Sequence, residues 1–335
     1  MKKVLVTGGA GFVGSHLVDK LLELGYQVTV IDDLSTGRLE NLEKPIKNNP
    51  NLKVVPQISI LDRWVLDGLV FQSDYVFHLA AVVGVKEVLR NPINAIHTNI
   101  EGTRLVLEAA KKYNKMVVIA SSSEVYGPEA ELPYKETSNI LTGINMRARW
   151  SYACSKAMDE YLALSYYKQY GVKVNIVRLF NVVGPRQRWE YGMVLPNFVI
   201  NALLLKPLIV HNGGNQTRSF CHVKDIVTGM LRIMFYEDWK GSAEYGQIFN
   251  LGREREVTIK GLAEIVLYVT QSLSSIINVS SNDVYDFEFE DMPRRRPDIS
   301  KARKILNFEP SYTMVEMVES VVNYYKEELR KNNDN

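Results

Sequence analysis

The 335-residue chain has little cysteine, little histidine and no dominant sign of charge. Its two cysteines, Cys154 and Cys221, cannot build a disulfide framework and show no metal-ligand spacing, so we expect no metal. The 40 basic and 38 acidic residues nearly cancel and are interspersed, which indicates neither nucleic acid nor another polyanion as a partner. No apolar run approaches the ~20 residues of a membrane span, and the N-terminal apolar run is too short for a signal peptide. We therefore expect a cytoplasmic protein with no membrane contact.

A glycine-rich turn is the first motif that is present. Gly8, Gly11 and Gly14 follow a short apolar strand, Val4–Val6, and precede a helix whose apolar residues recur at helical spacing. Glycines in this place allow a tight turn, close approach of the backbone to a pyrophosphate and packing of the helix on the strand. The anion would sit on the free N–H groups of the helix. A glycine turn without a ligand is the alternative, but the place between strand and helix favours dinucleotide binding.

The end of the second strand indicates which dinucleotide binds. The strand Gln27–Ile31 ends in Asp32 and Asp33, about twenty residues after the glycines. A carboxylate there accepts a hydrogen bond from the 2′-hydroxyl of the adenosine ribose and repels a 2′-phosphate, which favours NAD over NADP. Arg38 follows shortly after and would soften this preference if it reached the ribose. The alternative for Arg38 is a solvated loop residue.

Strands and helices alternate through the first half of the chain. Four further strands are predicted from apolar runs, at Leu52–Val55, Tyr75–Leu79, Met116–Ala120 and Lys173–Arg178. This alternation predicts an α/β fold with a doubly wound parallel sheet of the Rossmann type. We expect residues 1–178 to form the dinucleotide-binding domain and residues 179–335 to form a smaller α/β domain that mainly binds substrate. A strand near residues 247–251 would return to the first domain.

A cluster of hydroxyl and carboxyl groups follows the fifth predicted strand. Ser121, Ser122, Ser123 and Glu124 come directly after it. Open α/β sheets bind their ligands at the C-terminal ends of the strands, so this cluster is a candidate for chemistry. The alternative is a set of serines that cap a helix.

Tyr152 and Lys156 are four residues apart on a predicted helix, so their side chains lie on one face, one turn apart. A lysine ammonium favours the phenolate, so we expect the pKa of Tyr152 to lie below its usual value near ~10. Such a tyrosine can take a proton from an alcohol while the same carbon is oxidised. The spacing also occurs by chance on amphipathic helices, and it gains its weight from the two motifs that precede it.

In this order, the motifs resemble those of the extended short-chain dehydrogenase/reductase family, and within it the nucleotide-sugar epimerases, dehydratases and decarboxylases. The resemblance covers nearly all of the chain. It implies that Tyr152 is the catalytic base, that Lys156 supports it and holds the nicotinamide ribose, and that Ser122 completes the triad. It implies NAD as the cofactor, bound by Gly8, Gly11, Phe12, Val13, Gly14, Asp32, Asp33, Ile60, Leu79, Ala80, Ala81, Asn99, Tyr152 and Lys156. The substrate contacts that it implies are Lys86, Asn181, Arg186, Asn197, His211, Arg218, Arg295 and Arg296.

Two positions depart from the pattern of this family. Ser59, beside Ile60, stands where the family has an acidic residue in the adenine loop. His211 stands where an aromatic residue often stacks near the nucleotide base. The departures concern the contacts to the two bases and leave the catalytic motifs untouched.

The residues around Ser123 distinguish the reactions of this family. In the 4,6-dehydratases an acidic pair precedes Val-Tyr-Gly, whereas Ser123 here replaces the aspartate of that pair. Ser123-Glu124, with the approach Arg147-Ala148-Arg149, resembles the decarboxylases of UDP-glucuronate, in which a 4-keto sugar loses its C5 carboxylate as carbon dioxide. The alternatives are a UDP-sugar 4-epimerase acting on UDP-glucose or UDP-glucuronate, a 4,6-dehydratase, and a non-catalytic NAD-binding regulator.

A triplet of arginines, Arg294-Arg295-Arg296, is the one basic cluster of the chain. In a decarboxylase, Arg295 or Arg296 would hold the carboxylate of the substrate or donate a proton. The alternatives are binding of the diphosphate and a solvated basic turn.

The resemblance also implies a homodimer that acts on a UDP-sugar. Helices around Pro92–Lys112 and Trp150–Tyr170 would pack against their symmetry mates as a four-helix bundle. Leu162, Leu164 and Tyr166 would provide apolar surface for both the sheet and the partner.

Overall fold

The computed structural model describes residues 1–128, 131–140, 143, 149–236, 239, 244–280, 292 and 294–333. The approach residues Arg147 and Ala148 lie outside these residues, and so do the side chains of Lys86 and Arg149. No helix in the described part is long and apolar enough to cross a bilayer.

Seven parallel strands form the central sheet. They are seven of the strands in the described residues, which are β1 (Lys3–Thr7), β2 (Gln27–Asp32), β3 (Leu52–Pro56), β4 (Tyr75–His78), β5 (Met116–Ser122), β6 (Val174–Leu179), β7 (Val182–Val183), β8 (Leu208–His211), β9 (Thr217–Arg218), β10 (Cys221–His222), β11 (Ile248–Leu251), β12 (Val257–Thr258) and β13 (Ile276–Val279). The sheet has the order β11-β6-β5-β4-β1-β2-β3. Each neighbouring pair in it is parallel. The predicted α/β fold with a doubly wound parallel sheet is therefore confirmed.

Helices cover both faces of the sheet. The helices are α1 (Phe12–Glu23), α2 (Glu43–Asn48), α3 (Arg63–Phe71), α4 (Val85–Arg90), α5 (Pro92–Tyr113), α6 (Arg149–Tyr170), α7 (Val194–Leu203), α8 (Val223–Met234), α9 (Ile259–Thr270), α10 (Ser300–Leu306) and α11 (Met314–Asn333). Leu17 of α1 and Ile226 of α8 are buried in one core. Leu66 of α3, Leu105 of α5 and Ala163 of α6 are buried in the other. Because both faces are covered, the strands are continuous apolar runs.

The crevice for a ligand lies where the strand order reverses. β1 pairs with β2 on one side and with β4 on the other. The connections that leave β1 and β4 therefore run in opposite directions, and they leave a gap at the C-terminal edge of the sheet. Open parallel sheets bind their ligands at this switch point. The glycine turn after β1 and the serine cluster at the end of β5 both lie at this edge.

The second half of the chain adds a smaller unit beside this edge. α7, α9 and α11 share an apolar core in which Phe198 and Leu262 are buried. The two-stranded sheets β8–β13 and β9–β12 contact α9. The backbone N–H of Tyr134 donates to Arg296 at 2.9 Å, and the N–H of Asp298 donates to Tyr134 at 2.8 Å. These hydrogen bonds join residues 294–298, here called the late segment, to the loop after β5.

Candidate active site

A cleft of about 380 Å³ lies at the C-terminal edge of the sheet. Of the residues predicted to bind cofactor or to act in catalysis, those that line it are Gly8, Gly11, Phe12, Val13, Gly14, Asp32, Asp33, Ile60, Leu79, Ala80, Ala81, Ser122, Ser123, Glu124, Tyr152 and Lys156. Asn181 and Arg295, which are predicted substrate contacts, line the cleft as well. The fold thus brings most of the predicted site into one place.

The turn after β1 requires glycine at two positions. Gly8 has φ +70°, and a Cβ on it would lie 2.8 Å from the backbone of Ala80. A Cβ on Gly14 would lie 2.2 Å from the carbonyl oxygen of Gly8. Gly11 is the N-cap of α1 and has no side chain that could cap this end of the helix. The turn therefore has the close backbone approach and the helix N-terminus that fit a pyrophosphate.

The carboxylate of Asp32 is held in a fixed position at the end of β2. Asp32 is 5% exposed and accepts hydrogen bonds from the backbone N–H groups of Ala10 and Leu34, each at 2.9 Å. Burial raises the pKa of Asp32, and these two donors counteract the rise. Asp33 accepts instead from the N–H and the hydroxyl of Ser35. The arrangement fits a ribose hydroxyl at Asp32.

Arg38 is bound to another partner. Its guanidinium donates to Glu190 at 3.0 Å, and Glu190 also pairs with Arg188 at 3.1 Å. The residues that line the cleft include Asp32 and not Arg38. In this arrangement the acid, rather than the arginine, lines the cleft.

α6 presents Tyr152 and Lys156 to the cleft, one turn apart as their spacing predicts. Tyr152 is hydrogen-bonded to the side chain of Ser122, which also accepts from the backbone N–H of Glu124 at 3.2 Å. The predicted direction of the tyrosine's pKa is wrong. Burial raises the pKa of Tyr152, the carboxylate of Glu124 raises it further, and the hydrogen bond with Ser122 opposes the rise only in part.

The ammonium of Lys156 is paired within its own helix. It donates to the carboxylate of Asp159 at 2.9 Å, and the two side chains are 5% and 0% exposed. The negative charge of Asp159 adds to the burial that raises the pKa of Tyr152, and the prediction from the Tyr-Lys spacing did not include this charge. Residues three apart on a helix are neighbours, so the sequence did carry this signal.

An acidic and a basic side chain from distant parts of the chain meet in the cleft. Nη1 of Arg295 lies 3.4 Å from Oε1 of Glu124, and the two side chains are 9% and 16% exposed. The neighbours of Arg295 face elsewhere. Arg294 pairs with Glu256, and the charge of Arg296 lowers the pKa of that same glutamate. Of the triplet, Arg295 is therefore the arginine that lines the cleft.

Two residues predicted as ligands make contacts that join elements of the protein. Asn99 accepts from the N–H of Val82 at 2.8 Å and donates to Ser155 at 3.0 Å, which links the loop after β4 to α6. Arg186 pairs with Asp19 of α1 at 2.7 Å. Neither Asn99 nor Arg186 lines the cleft, and their contacts with a ligand stay predictions.

Three further predicted substrate contacts lie outside the lining of the cleft. Asn197 on α7 donates to the carbonyl of Trp189 at 2.9 Å. His211 is the last residue of β8. Arg218 in β9 is 7% exposed and donates to the carbonyl of Thr217 at 2.7 Å. Their roles toward a substrate stay predictions.

Several residues that line the cleft belong to no sequence motif. They are Val82, Val83, Gly84, Thr98, Gln187 and Met193. These residues are apolar or small and polar, and their types are common throughout the chain. Only the fold identifies them as part of the site.

Comparison with known proteins identifies relatives along nearly the whole chain. The sequence profile of the NAD dependent epimerase/dehydratase family matches residues 4–252. A UDP-N-acetyl-alpha-D-glucosaminuronate decarboxylase of Bacillus cytotoxicus is 39% identical over 327 residues, which are 97% of this chain and 98% of that protein. UDP-glucuronic acid decarboxylase 1 of Arabidopsis thaliana is 37% identical over 328 residues, which are 98% of this chain and 70% of that protein. The structure of a UDP-glucuronic acid 4-epimerase from Bacillus cereus, in complex with UDP-glucuronic acid and NAD, has a TM-score of 0.85 at 26% identity and covers 97% of this chain and 99% of that one.

Proposed function

The chain belongs to the NAD dependent epimerase/dehydratase family, and we propose that it decarboxylates a UDP-linked hexuronate, with UDP-glucuronate as the predicted substrate. The observation that carries the choice of a uronate is the pair of Glu124 and Arg295 in the cleft, 3.4 Å apart, and the decarboxylase relatives carry the choice of reaction. A guanidinium binds a carboxylate well, and a uronate has a carboxylate where a neutral hexose has none. The decarboxylase relatives at 39% and 37% identity support the same class of reaction.

NAD is the cofactor, and the cleft has the features that NAD needs. The glycine turn and the uncapped start of α1 would hold the pyrophosphate. Asp32 would accept from the adenosine ribose. Because Arg38 is bound to Glu190, its guanidinium is not placed beside this carboxylate to hold a 2′-phosphate. We therefore expect NAD to be preferred to NADP.

Tyr152 and Ser122 are placed to act on the 4-hydroxyl of the sugar. When bound, NAD supplies the two-electron oxidant for C4 and later returns these electrons. The phenol oxygen of Tyr152 would take the proton of the 4-hydroxyl, and the hydroxyl of Ser122 would bond to the same sugar oxygen. Because the pKa of Tyr152 is raised, its active phenolate form becomes more abundant as pH rises, and turnover should rise with it.

The resulting C4 ketone stands β to the C5 carboxylate, which makes loss of carbon dioxide feasible. The bond between C5 and C6 breaks, carbon dioxide leaves, and the electron pair moves to the C4 oxygen as an enolate. The hydroxyls of Tyr152 and Ser122 would stabilise that oxygen. Arg295 would orient the carboxylate, and Glu124 would hold the guanidinium in place. A proton from water then adds to C5, and reduction of the ketone gives a UDP-pentose.

A 4-epimerase of a UDP-uronate is the second candidate. The carboxylate-binding guanidinium would serve that reaction equally, and the UDP-glucuronic acid 4-epimerase of Bacillus cereus has the same fold at a TM-score of 0.85. In an epimerase the ketone is reduced from its other face and the carboxylate is retained. The two candidates therefore share the oxidation and differ in the fate of C6.

We further propose that residues 179–335 carry most of the contacts to the nucleotide sugar, as the sequence predicts. Asn181, Arg218 and Arg296 would bind the diphosphate. The hydroxyl of Thr217, next to Arg218, donates to Glu256, and the charge of Arg296 acts on the same carboxylate. Burial raises the pKa of Tyr134, and the charges of Arg295 and Arg218 oppose the rise, so Arg218 stands near the arginine that lines the cleft.

Incubation of the purified protein with UDP-glucuronate separates the two candidates. We expect a UDP-pentose and carbon dioxide, identified by mass spectrometry and NMR. Tyr152→Phe should lower turnover by ~10²–10⁴-fold in either reaction. Glu124→Gln should still oxidise the substrate, seen as NADH absorbance and a 4-keto sugar, but should release little pentose. Glu23→Gln is the control, because Glu23 is an exposed residue of α1 paired with Lys20, and it should behave as wild type.

Formation of UDP-galacturonate without carbon dioxide would overturn the decarboxylase proposal in favour of the 4-epimerase. The 2-acetamido uronate of the Bacillus cytotoxicus relative is the second substrate to test. If a pentose product forms from that sugar and not from UDP-glucuronate, the proposed decarboxylation stands and the proposed substrate is wrong. No turnover of either uronate by the NAD-bound protein would contradict both candidates.

We propose that the protein is a cytoplasmic homodimer formed through α5 and α6. Ile93 and Ile96 of α5 and Met158 and Tyr161 of α6 are exposed, and Ile93 is 82% exposed. The residues predicted for this surface pack against the core of their own chain: Leu162, Leu164 and Tyr166. Light scattering should give the mass of two chains for the wild type and of one chain for Tyr161→Glu. A wild-type monomer at micromolar concentration would contradict the proposal.

A further inference from the structure

Asp159 is a buried carboxylate that the proposed reaction does not use. It is 0% exposed on α6 and accepts a hydrogen bond from Nζ of Lys156 at 2.9 Å. Lys156 lines the cleft together with Tyr152, whereas Asp159 is outside its lining. A carboxylate is costly to bury unless it is paired. Because Asp159 pairs with a lysine that lines the cleft, we expect its charge to act on the residues of the cleft.

Side chains connect Asp159 with the first strand. The hydroxyl of Thr103 on α5 lies close enough to the carboxylate to lower the pKa of Asp159, which burial raises. The same hydroxyl is 3.1 Å from Nε2 of His78, and the hydroxyl of Thr7 is 2.8 Å from Nδ1 of that ring. Burial lowers the pKa of His78 to about 3, so the ring is neutral. The contacts from Thr103 through His78 to Thr7 therefore hold the side chains beside the Lys156–Asp159 pair in place. Thr7 is the last residue of β1, before the glycine turn.

Burial is the main cause of the raised pKa of Tyr152, and charged side chains from three parts of the described chain also act on it. Glu124, from the turn after β5, raises the pKa of Tyr152, and Asp159 raises it from the same helix. Arg295, from the late segment, lowers it. Among the described residues, the charged or titratable groups that act on Tyr152, Lys156 or Asp159 are Glu124, Arg295, Asp159, Glu160 and His78. Removal of the charge of Asp159 should therefore favour the phenolate.

We propose that Asp159 is a positioning residue for Tyr152 and Lys156, which holds the ammonium and offsets its charge at the tyrosine. Without Asp159, a full positive charge would act on the phenol from one helical turn away. With Asp159, Tyr152 keeps its proton to higher pH and is better placed to return that proton to the sugar in the reductive half of the cycle. The proposal rests on the proposed role of Tyr152 as the base.

Asp159→Asn tests this role, because it keeps the shape of the side chain and removes the charge. The acid limb of the pH profile of kcat/KM for UDP-glucuronate should move to lower pH by about one unit. The phenolate absorbance of the NAD-bound protein, measured against the matching Tyr152→Phe variant, should show the same movement without turnover. Asp225→Asn is the matched control, because Asp225 is a buried carboxylate of α8 that accepts from the N–H and hydroxyl of Ser311. It should lower stability and leave the acid limb in place.

An acid limb that stays in place in Asp159→Asn, or moves to higher pH, would overturn the proposal and leave a structural role. Asp159→Ser also removes the charge and should give the same direction, which covers the case that the asparagine variant does not fold. Asp159→Glu keeps the charge and should hold the limb within about half a unit of wild type. If neither uronate is turned over, the phenolate titration still decides the role of Asp159 separately from the proposed function.

Discussion

Two neighbouring acidic residues of α6, Asp159 and Glu160, each hold a buried cation in a different way. Glu160 accepts two hydrogen bonds from Arg178 of β6, at 2.9 and 2.6 Å, and a third from Ser121 at 2.6 Å. Asp159 accepts one from Lys156, and its Oδ1 has no hydrogen-bond partner among the described residues. The first pair joins the helix to the sheet, and the second pair stands at the wall of the cleft.

The difference between the pairs follows from the cations. Arg178 is 2% exposed, and its guanidinium carbon lies 4.6 Å from the centre of the Tyr126 ring. A guanidinium cannot lose its proton in a protein, and its fork matches a carboxylate with two hydrogen bonds. A lysine can be neutralised or hydrated if its partner is removed, and Lys156 lines the cleft. The Arg178–Glu160 pair therefore chiefly stabilises the fold. The ammonium of Lys156, in contrast, borders the cleft and can be hydrated from it.

The largest expected effect is on the arginine pair. Glu160→Gln should lower the free energy of unfolding by ~3–5 kcal/mol, because Arg178 stays charged in a buried place without its carboxylate. Urea unfolding of the purified variant measures this loss. A loss below about 1 kcal/mol, as for an exposed ion pair, would remove the contrast between the two residues.

The lysine pair should give a smaller loss in the same experiment. Asp159→Asn should lower the free energy of unfolding by about 2 kcal/mol, because Lys156 can be hydrated from the cleft after its carboxylate is removed. The denaturant midpoints of the two variants, measured side by side, make the comparison. Equal losses would show that both pairs act chiefly on stability.

The smallest effect concerns His78, which lies near the Asp159 pair and has no contact with the Glu160 pair among the described hydrogen bonds. Its pKa is lowered from 6.5 to about 3, so the unfolded chain binds more protons than the folded one between these values, and stability falls as pH drops below 6.5. At pH 5.5 this loss is about 1.4 kcal/mol. His16 and His222, whose pKa values are lowered to about 4, act in the same direction.

His78→Gln should therefore show a flatter fall of stability between pH 6.5 and 5.5, measured by denaturant unfolding at each pH. Glu160→Gln should keep the slope of the wild type although its stability is much lower. A slope in His78→Gln equal to that of the wild type would contradict a neutral, buried ring.

The cofactor half of the site could be predicted because its signals are local. The glycines lie within one turn, Asp32 ends the next strand, and Tyr152 and Lys156 share one helix face. Each pattern is confined to a short stretch whose secondary structure can be recognised from spacing. The strands and helices that the sequence predicts around these motifs therefore agree with the fold to within a few residues.

The other half could not be predicted in the same way, because its residues meet only in the folded chain. Arg295 reaches Glu124 from 171 positions away, and no local pattern distinguishes it from Arg294 and Arg296. The sequence also predicts the wrong direction for the pKa shift of Tyr152, for a related reason. The Tyr-Lys spacing gives the sign of one charge, whereas burial and the carboxylate of Glu124 depend on tertiary packing and outweigh it.

The long separation between Glu124 and Arg295 also orders the events of biosynthesis. A ribosome adds ~5–20 residues per second, so Arg295 is made roughly 10–30 s after Glu124. By that time the strands β1 to β6, with the glycine turn, Asp32 and Tyr152, have all been synthesised. The nascent chain therefore contains all the predicted NAD-binding residues well before it contains Arg295, which also lines the cleft. Each newly made molecule passes through a stage in which only the older half of its active site exists.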